Sequence, residues 1–237
     1  MYKFKSANKN DIESLIQDKL WVPTLALLND PMDLGFYIDD KRISDEEILR
    51  FQDALNKSYV VISLGTNVQN RRLWNYYTDG MKGFVLNYRV SDLEKALVNK
   101  GASWPNTGKV FYSDEKQDLS EEFRQYLLKG KLPAIKKTDM LFNKNSSWES
   151  EEEYRLITKA DFLDNYEGAV SAGGICIENV VPIEIFIGYK MSDKNFEIIK
   201  DYADSKRIEV MKFIPDFRNK DSDKFRSDPI ETKHMRS

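Results

Sequence analysis

Apolar positions recur along the chain at two spacings, and each spacing marks a different kind of element. Ile12, Leu15, Ile16 and Leu20 fall at helical intervals, predicting a helix from about Asn10 to Lys19 behind a short strand, Tyr2 to Lys5. Ser44 and Glu47 have capping-box spacing ahead of Ile48, Phe51 and Leu55, so a second helix is expected to start at Ser44. Tyr59 to Leu64 is a continuous run rich in β-branched residues, the pattern of a buried strand. After the polar loop Gly65 to Asn70, Arg71 to Asp79 reads as a helix dense in aromatics. Phe84 to Arg89 alternates as a strand, and Ser91 with Glu94 repeats the capping-box spacing for a helix to Lys100.

Further along, Val110 to Tyr112 reads as a strand, Asp118 to about Leu128 as a helix, and another helix is expected after Pro133. Glu152 to Thr158, Ile175 to Glu178 and Ile183 to Ile187 read as strands. The unit of strand 183–187, helix 193–205 and strand 208–214 fits a βαβ crossover. Residues 216–237 carry six basic and five acidic residues and read as a solvated tail, dispensable for folding. With no internal repeat or low-complexity linker, the pattern predicts one domain over residues 1–215. Its fold class is α+β, a central mixed sheet with helices packed around it.

Composition narrows the chemistry. At 41% hydrophobic residues the chain can bury a core, and no apolar run approaches the roughly 20 residues of a membrane span. The expectation is therefore a soluble protein with no membrane partner. A net charge of −3 gives no whole-molecule case for nonspecific nucleic-acid binding. Cys176 is the single cysteine, which fits a reducing cytoplasm. His234 is the single histidine and lies in the charged tail. Ser-His-Asp and Cys-His catalysis and zinc sites of the His/Cys kind are thereby excluded, leaving carboxylates, Tyr, Lys, Arg, Ser and backbone groups.

Three segments concentrate those groups. Asn29-Asp30-Pro31-Met32-Asp33 is a turn by its chemistry, and it also presents two carboxylates and an amide on a stiff loop. In Leu73 to Gly83, Trp74 and Tyr77 sit three apart and share a helix face while Tyr76 points elsewhere. The segment is either core or an aromatic platform for a base or nicotinamide ring, with Gly80 and Gly83 open to a phosphate. In Trp148 to Arg155, a strand would put Glu151, Glu153 and Arg155 on one face. That segment is either an acidic loop balanced by Arg155 or an E-x-E pair with one catalytic carboxylate.

The order of these motifs resembles the bacterial family catalogued as domain of unknown function 2971. The matching positions are Asn29, Asp30, Pro31 and Asp33; Ser63 and Leu64; Trp74, Tyr77, Asp79, Gly83 and Phe84; and Trp148, Glu151, Glu153, Tyr154, Arg155 and Gly188, over about residues 1–215. Tyr76 and Lys82 stand where the family usually has histidine. The resemblance implies no defined activity; its association with accessory genes suggests a toxin or antiphage defence effector, with a macromolecular target or an inhibitory partner protein.

The layout is also similar to the ADP-ribosyltransferase superfamily, which implies NAD as co-substrate. In that reading Glu153 holds the ribose hydroxyl and stabilises an oxocarbenium-like ribose, and Glu151 activates the acceptor. Tyr77 or Trp74 stacks on the ring, and Lys3 or Lys5 meets the pyrophosphate. Asn29, Asp30, Asp33, Asp79, Trp148 and Arg155 complete the expected nucleotide site. The alternatives are a Mg²⁺-dependent nuclease or phosphodiesterase built on Asp30, Asp33, Glu151 and Glu153 with Lys144 or Arg155 on a phosphate, and a non-catalytic binding module.

Overall fold

Capping chemistry decides where several helices begin. The computed structural model describes residues 1–30, 33–130, 132, 138–217 and 225–230. In chain order the first elements are β1 (Tyr2–Lys5), α1 (Lys9–Ile16), β2 (Lys19–Pro23), β3 (Phe36–Tyr37), α2 (Asp45–Lys57) and β4 (Tyr59–Gly65). The Ser44 capping box is present: Ser44 N donates to Glu47 Oε2 at 3.0 Å, and Glu47 N donates to Ser44 Oγ at 3.3 Å. Next come α3 (Arg71–Tyr77), β5 (Phe84–Asn87) and α4 (Val90–Asn99). Helix α4 starts one residue before Ser91, so Ser91 sits inside its first turn and is not its cap, contrary to the spacing.

The chain continues through β6 (Asn106–Lys109), β7 (Phe111–Tyr112), β8 (Gln117–Asp118), α5 (Ser120–Lys129), β9 (Asn143–Lys144) and β10 (Glu153–Lys159). It ends with α6 (Ala169–Ala172), β11 (Gly174–Glu178), β12 (Glu184–Gly188), α7 (Asp193–Lys206), β13 (Glu209–Pro215) and β14 (Phe225–Pro229). Of the helix expected after Pro133, residues 133–137 lie outside the described residues and Thr138–Phe142 is a 3-10 turn. The class is α+β with a large mixed sheet. Among the described residues no helix is long and apolar enough to cross a membrane.

The chain divides into two compact units. The first comprises Met1–Leu20, Ser63–Ala96 and Cys176–Ser237. Its strands follow the order β14-β13-β12-β5-β1 and then the end of β4. Strands β1 and β5 are antiparallel, with Tyr2 opposite Asn87 and Lys5 opposite Phe84. Strands β12 and β13 run parallel, which requires the α7 crossover that the alternation of elements predicted. The core of this unit is aromatic. Trp74 is fully buried, stacked on Phe213 at 5.1 Å with Phe4 edge-on at 5.8 Å, and its indole N–H donates to Val68 O at 2.7 Å.

Within the stretch read as a tail, β14 pairs antiparallel with β13 and Phe225 packs 5.3 Å from Phe213. Gln69 secures this strand twice, donating to Phe225 O and accepting from Phe225 N. Gly83 is the tightest backbone approach in the unit. A Cβ there would lie 1.9 Å from Lys5 O, so any side chain would push β5 off β1.

The second unit comprises Trp21–Ile62 and Leu97–Ile175. Strand β10 pairs antiparallel with β6, with Tyr154 opposite Lys109 and Ile157 opposite Asn106. Helices α2 and α5 meet through Phe51 and Phe123, whose rings cross at 86° and 5.3 Å. Their apolar faces share one core with Leu34, Leu55, Val61, Leu141 and Ile157. Strand β10, which follows the acidic motif, is thus anchored in a packed core through Ile157.

Candidate functional site

The acidic motif folds differently from a simple strand entry. Ser146–Glu151 is a 3-10 turn, begun by Asn145, whose side chain accepts from Ser147 N, and ended by Glu152 in the left-handed region at φ 48°. That reversal puts Glu151 in the turn and Glu153 in β10, so they do not share a strand face as the alternation predicted. Both are still brought to one cation. Lys144 Nζ lies 2.7 Å from Glu151 Oε2 and 3.4 Å from Glu153 Oε2.

Arg155, fully buried two residues along β10, completes the network. Its Nε donates to Glu153 Oε1 at 2.8 Å and its Nη2 to Glu153 Oε2 at 3.0 Å. The other side of the guanidinium meets Asp33, with Nη1 donating to Oδ1 at 2.6 Å and Nη2 to Oδ2 at 2.9 Å. Nη1 also donates to Leu141 O at 3.0 Å. One planar fork therefore ties Asp33, the acidic motif and the 3-10 turn before β9 together, geometry that a lysine ammonium cannot reproduce.

The electrostatics follow from burial. Three carboxylates and two cations sit at 6% exposure or less. Desolvation pushes the Asp33 carboxyl up, with the opposing pull of Arg155 insufficient to cancel it. Burial by itself would lower the Lys144 ammonium, but the Glu153, Glu151 and Asp33 carboxylates outweigh it and hold it up. Burial likewise pushes the Tyr112 phenol up to about 12; its oxygen accepts from Glu153 N at 2.8 Å. The Lys144 ammonium also lies 4.7 Å from the Trp148 ring centre, and both residues line a 320 Å³ cavity with Asp30 and Asn143.

Lys144 and Arg155 occupy the middle of the carboxylate cluster, where the nuclease reading would put Mg²⁺. Among the described residues no group of three or more acidic, His or Cys side chains is disposed to hold a metal ion. With both cations already seated among the three carboxylates, the donor set fits an ion-pair network better than a metal site.

Asp33, Glu151, Glu153 and Arg155 therefore come together, with Asp30 and Trp148 at the adjoining cavity, while Asn29 is exposed on the loop before them. The other expected site residues belong to the first unit. Lys3 donates to Ser63 O at 2.9 Å, Lys5 pairs with Asp11 at 3.1 Å, and Asp79 pairs with Lys82 at 3.0 Å. Trp74 is core, and Tyr77 packs against the same aromatic cluster.

The aromatic segment does build a cleft, with different residues. Arg71, Arg72, Asn75 and Tyr76 of α3 line a 510 Å³ cavity with Tyr189 and Phe217. Tyr76 is 68% exposed because Trp74 turns inward and position i+2 on a helix faces away from it. The Arg-Arg pair one turn ahead of Tyr76 was the sequence signal for this cleft; Tyr189, after β12, carried none.

The segment from α3 through β10 thus carries the cleft helix and, apart from Asp33, the ion network, in the order of the W-x-x-Y-x-D and W-x-x-E-x-E-Y-R motifs. Residues 73–156 match the family model described as protein of unknown function (DUF2971). The DUF2971 match contains Tyr76, Tyr112, Lys144, Glu151, Glu153 and Arg155. It is narrower than the coverage the motif resemblance implied, and Asn29–Asp33 and Gly188 fall outside it. No curated protein and no solved structure matches the chain.

Proposed function

We propose that the protein is a binding module for a nucleotide, an aromatic ring bearing phosphate, taken up in the cleft of Arg71, Arg72, Tyr76 and Tyr189. The observation that carries this reading is the pairing of two exposed guanidinium groups with exposed tyrosine rings around one 510 Å³ cavity. Guanidinium forks match phosphate oxygens, and a base stacked on an aromatic side chain gains about 1–3 kcal/mol. In this reading the acidic motif is structural, because both oxygens of Glu153 are engaged by Arg155. An NAD-using transferase or glycohydrolase, whether as an effector or otherwise, would require that fork to open for Glu153 to reach a ribose.

Calorimetric titration of the full chain with ADP and with NAD⁺, at low and high salt, tests the proposal. Saturable binding that weakens with salt and is lost in Arg72→Ala and Tyr76→Ala is expected, with NAD⁺ recovered intact. Absence of binding to either nucleotide overturns it. Release of nicotinamide that disappears in Glu153→Gln replaces it with the transferase reading.

A further inference from the structure

The second unit contains a cavity separate from the ion network. Its volume is 550 Å³, within the range of about 300–1,000 Å³ typical of small-molecule pockets. Thr24, Leu55, Tyr59 and Leu163 line it and are all buried. Leu27 and Val170 also line it, and both are more than half exposed. Apolar side chains left in water beside a buried apolar interior are what a ligand of the same character would cover.

Thr24 supplies the polar requirement. Only 3% of it is exposed, its backbone N–H donates to Gly173 O at 2.7 Å, and its Oγ1 has no hydrogen-bond partner among the described residues. A buried hydroxyl left without a partner costs on the order of 1–3 kcal/mol, so a polar ligand atom placed against it recovers that loss. Burial also pushes the Tyr59 phenol up, consistent with apolar surroundings.

Charge narrows the ligand class. Lys57, Lys159, Asp161 and Asp164 also line the cavity, two of each sign, and Lys57 is already paired with Asp53 at 2.7 Å. This balanced lining offers no net attraction for either charge, while burying an ion against the leucines is costly. We infer that this cavity binds a neutral, largely apolar small molecule whose carbonyl or hydroxyl oxygen meets Thr24 Oγ1.

The probe for the test is prodan, a neutral naphthalene ketone whose emission shifts to the blue in apolar surroundings, titrated into the full chain. Anilinonaphthalenesulfonate serves as its charged counterpart. The expected result is saturable one-to-one binding of prodan, tighter than that of the sulfonate. Thr24→Val keeps the shape and removes the hydroxyl, and should weaken prodan roughly five- to tenfold, the loss of one hydrogen bond. Ala26→Trp, at an exposed position on the cavity wall, should block binding with the circular dichroism spectrum unchanged. Unsaturable binding, equal affinity for the sulfonate, or affinity retained in both variants overturns the inference.

Discussion

Arg155→Met is the most informative single perturbation of the acidic network. It keeps an unbranched apolar stem in a fully buried position and removes five hydrogen bonds: two to Glu153, two to Asp33 and one to Leu141 O. Of the two buried cations only Lys144 then remains beside Asp33, Glu151 and Glu153, at 3.8, 2.7 and 3.4 Å. Breaking a buried ion pair from one side costs about 3–5 kcal/mol, and the stranded Leu141 carbonyl adds about 1 kcal/mol or more. The expected loss is therefore about 5 kcal/mol, much of the stability of an ordinary domain. With a urea slope of roughly 3 kcal/mol/M, the midpoint followed by circular dichroism should fall by about 1.7 M. Glu153→Gln is the internal contrast. It keeps the shape and takes the cluster from three carboxylates against two cations to two against two, so its cost should be nearer 1–2 kcal/mol, an order-of-magnitude estimate for altered hydrogen bonding. An Arg155→Met midpoint within experimental error of wild type would refute the structural assignment of this network.

Other expectations test separate links. Because the Lys144 pKa is raised, its contribution to stability is complete below its ordinary value of 10.5 and is lost as pH climbs through the raised value. The melting-temperature advantage of wild type over Lys144→Met should therefore shrink above that pH, and a constant gap would contradict the assignment. Gly83→Ala should cost about 3 kcal/mol or more through the clash with Lys5 O, read as a lowered melting temperature; an unchanged one would contradict the register of β1 and β5. Truncation after Phe217 removes β14 and the cover that Phe225 gives Phe213 and Trp74, for a loss of about 2 kcal/mol and roughly 4–8 °C. A melting temperature that does not move would return those residues to the status of a tail.

Elements with strong local signals were legible in the sequence: the Ser44 capping box, the buried run Tyr59 to Leu64, and the crossover from β12 through α7 to β13. Their determinants lie within a turn or a few residues of one another. Strand β14 was not legible, because Phe225-Arg-Ser-Asp-Pro has little apolar alternation and is specified by Gln69 and β13, both distant in sequence. Helix α4 misled because Ser91 and Glu94 have capping-box spacing, yet the helix already includes Val90. For the site, the motifs named Asp33, Glu151, Glu153 and Arg155 together, but spacing could not show that Arg155 engages both oxygens of Glu153. Lys144 entered the sequence reading only as a phosphate contact. Its role beside Glu151 depends on Glu152 adopting a left-handed turn, which residue type does not announce. Tyr76 was correctly separated from Trp74 and Tyr77 by helical phase, although which of them would face solvent required the aromatic core.

The strand order of the first unit has a consequence for the chain as it leaves the ribosome. Strands β1 and β5 are complete once Asn87 has emerged, yet one edge of β5 waits for β12, and Phe4 and Trp74 wait for Phe186 and Phe213. Those residues are translated between 97 (Glu184) and 126 (Phe213) positions after Asn87, an interval of about 5–25 s at ordinary elongation rates. Throughout that time the nascent polypeptide carries a half-built aromatic face and an open hydrogen-bonding edge, a natural client surface for a chaperone. Synthesis halted in that interval would leave this face uncovered, so premature termination favours aggregation over a folded fragment.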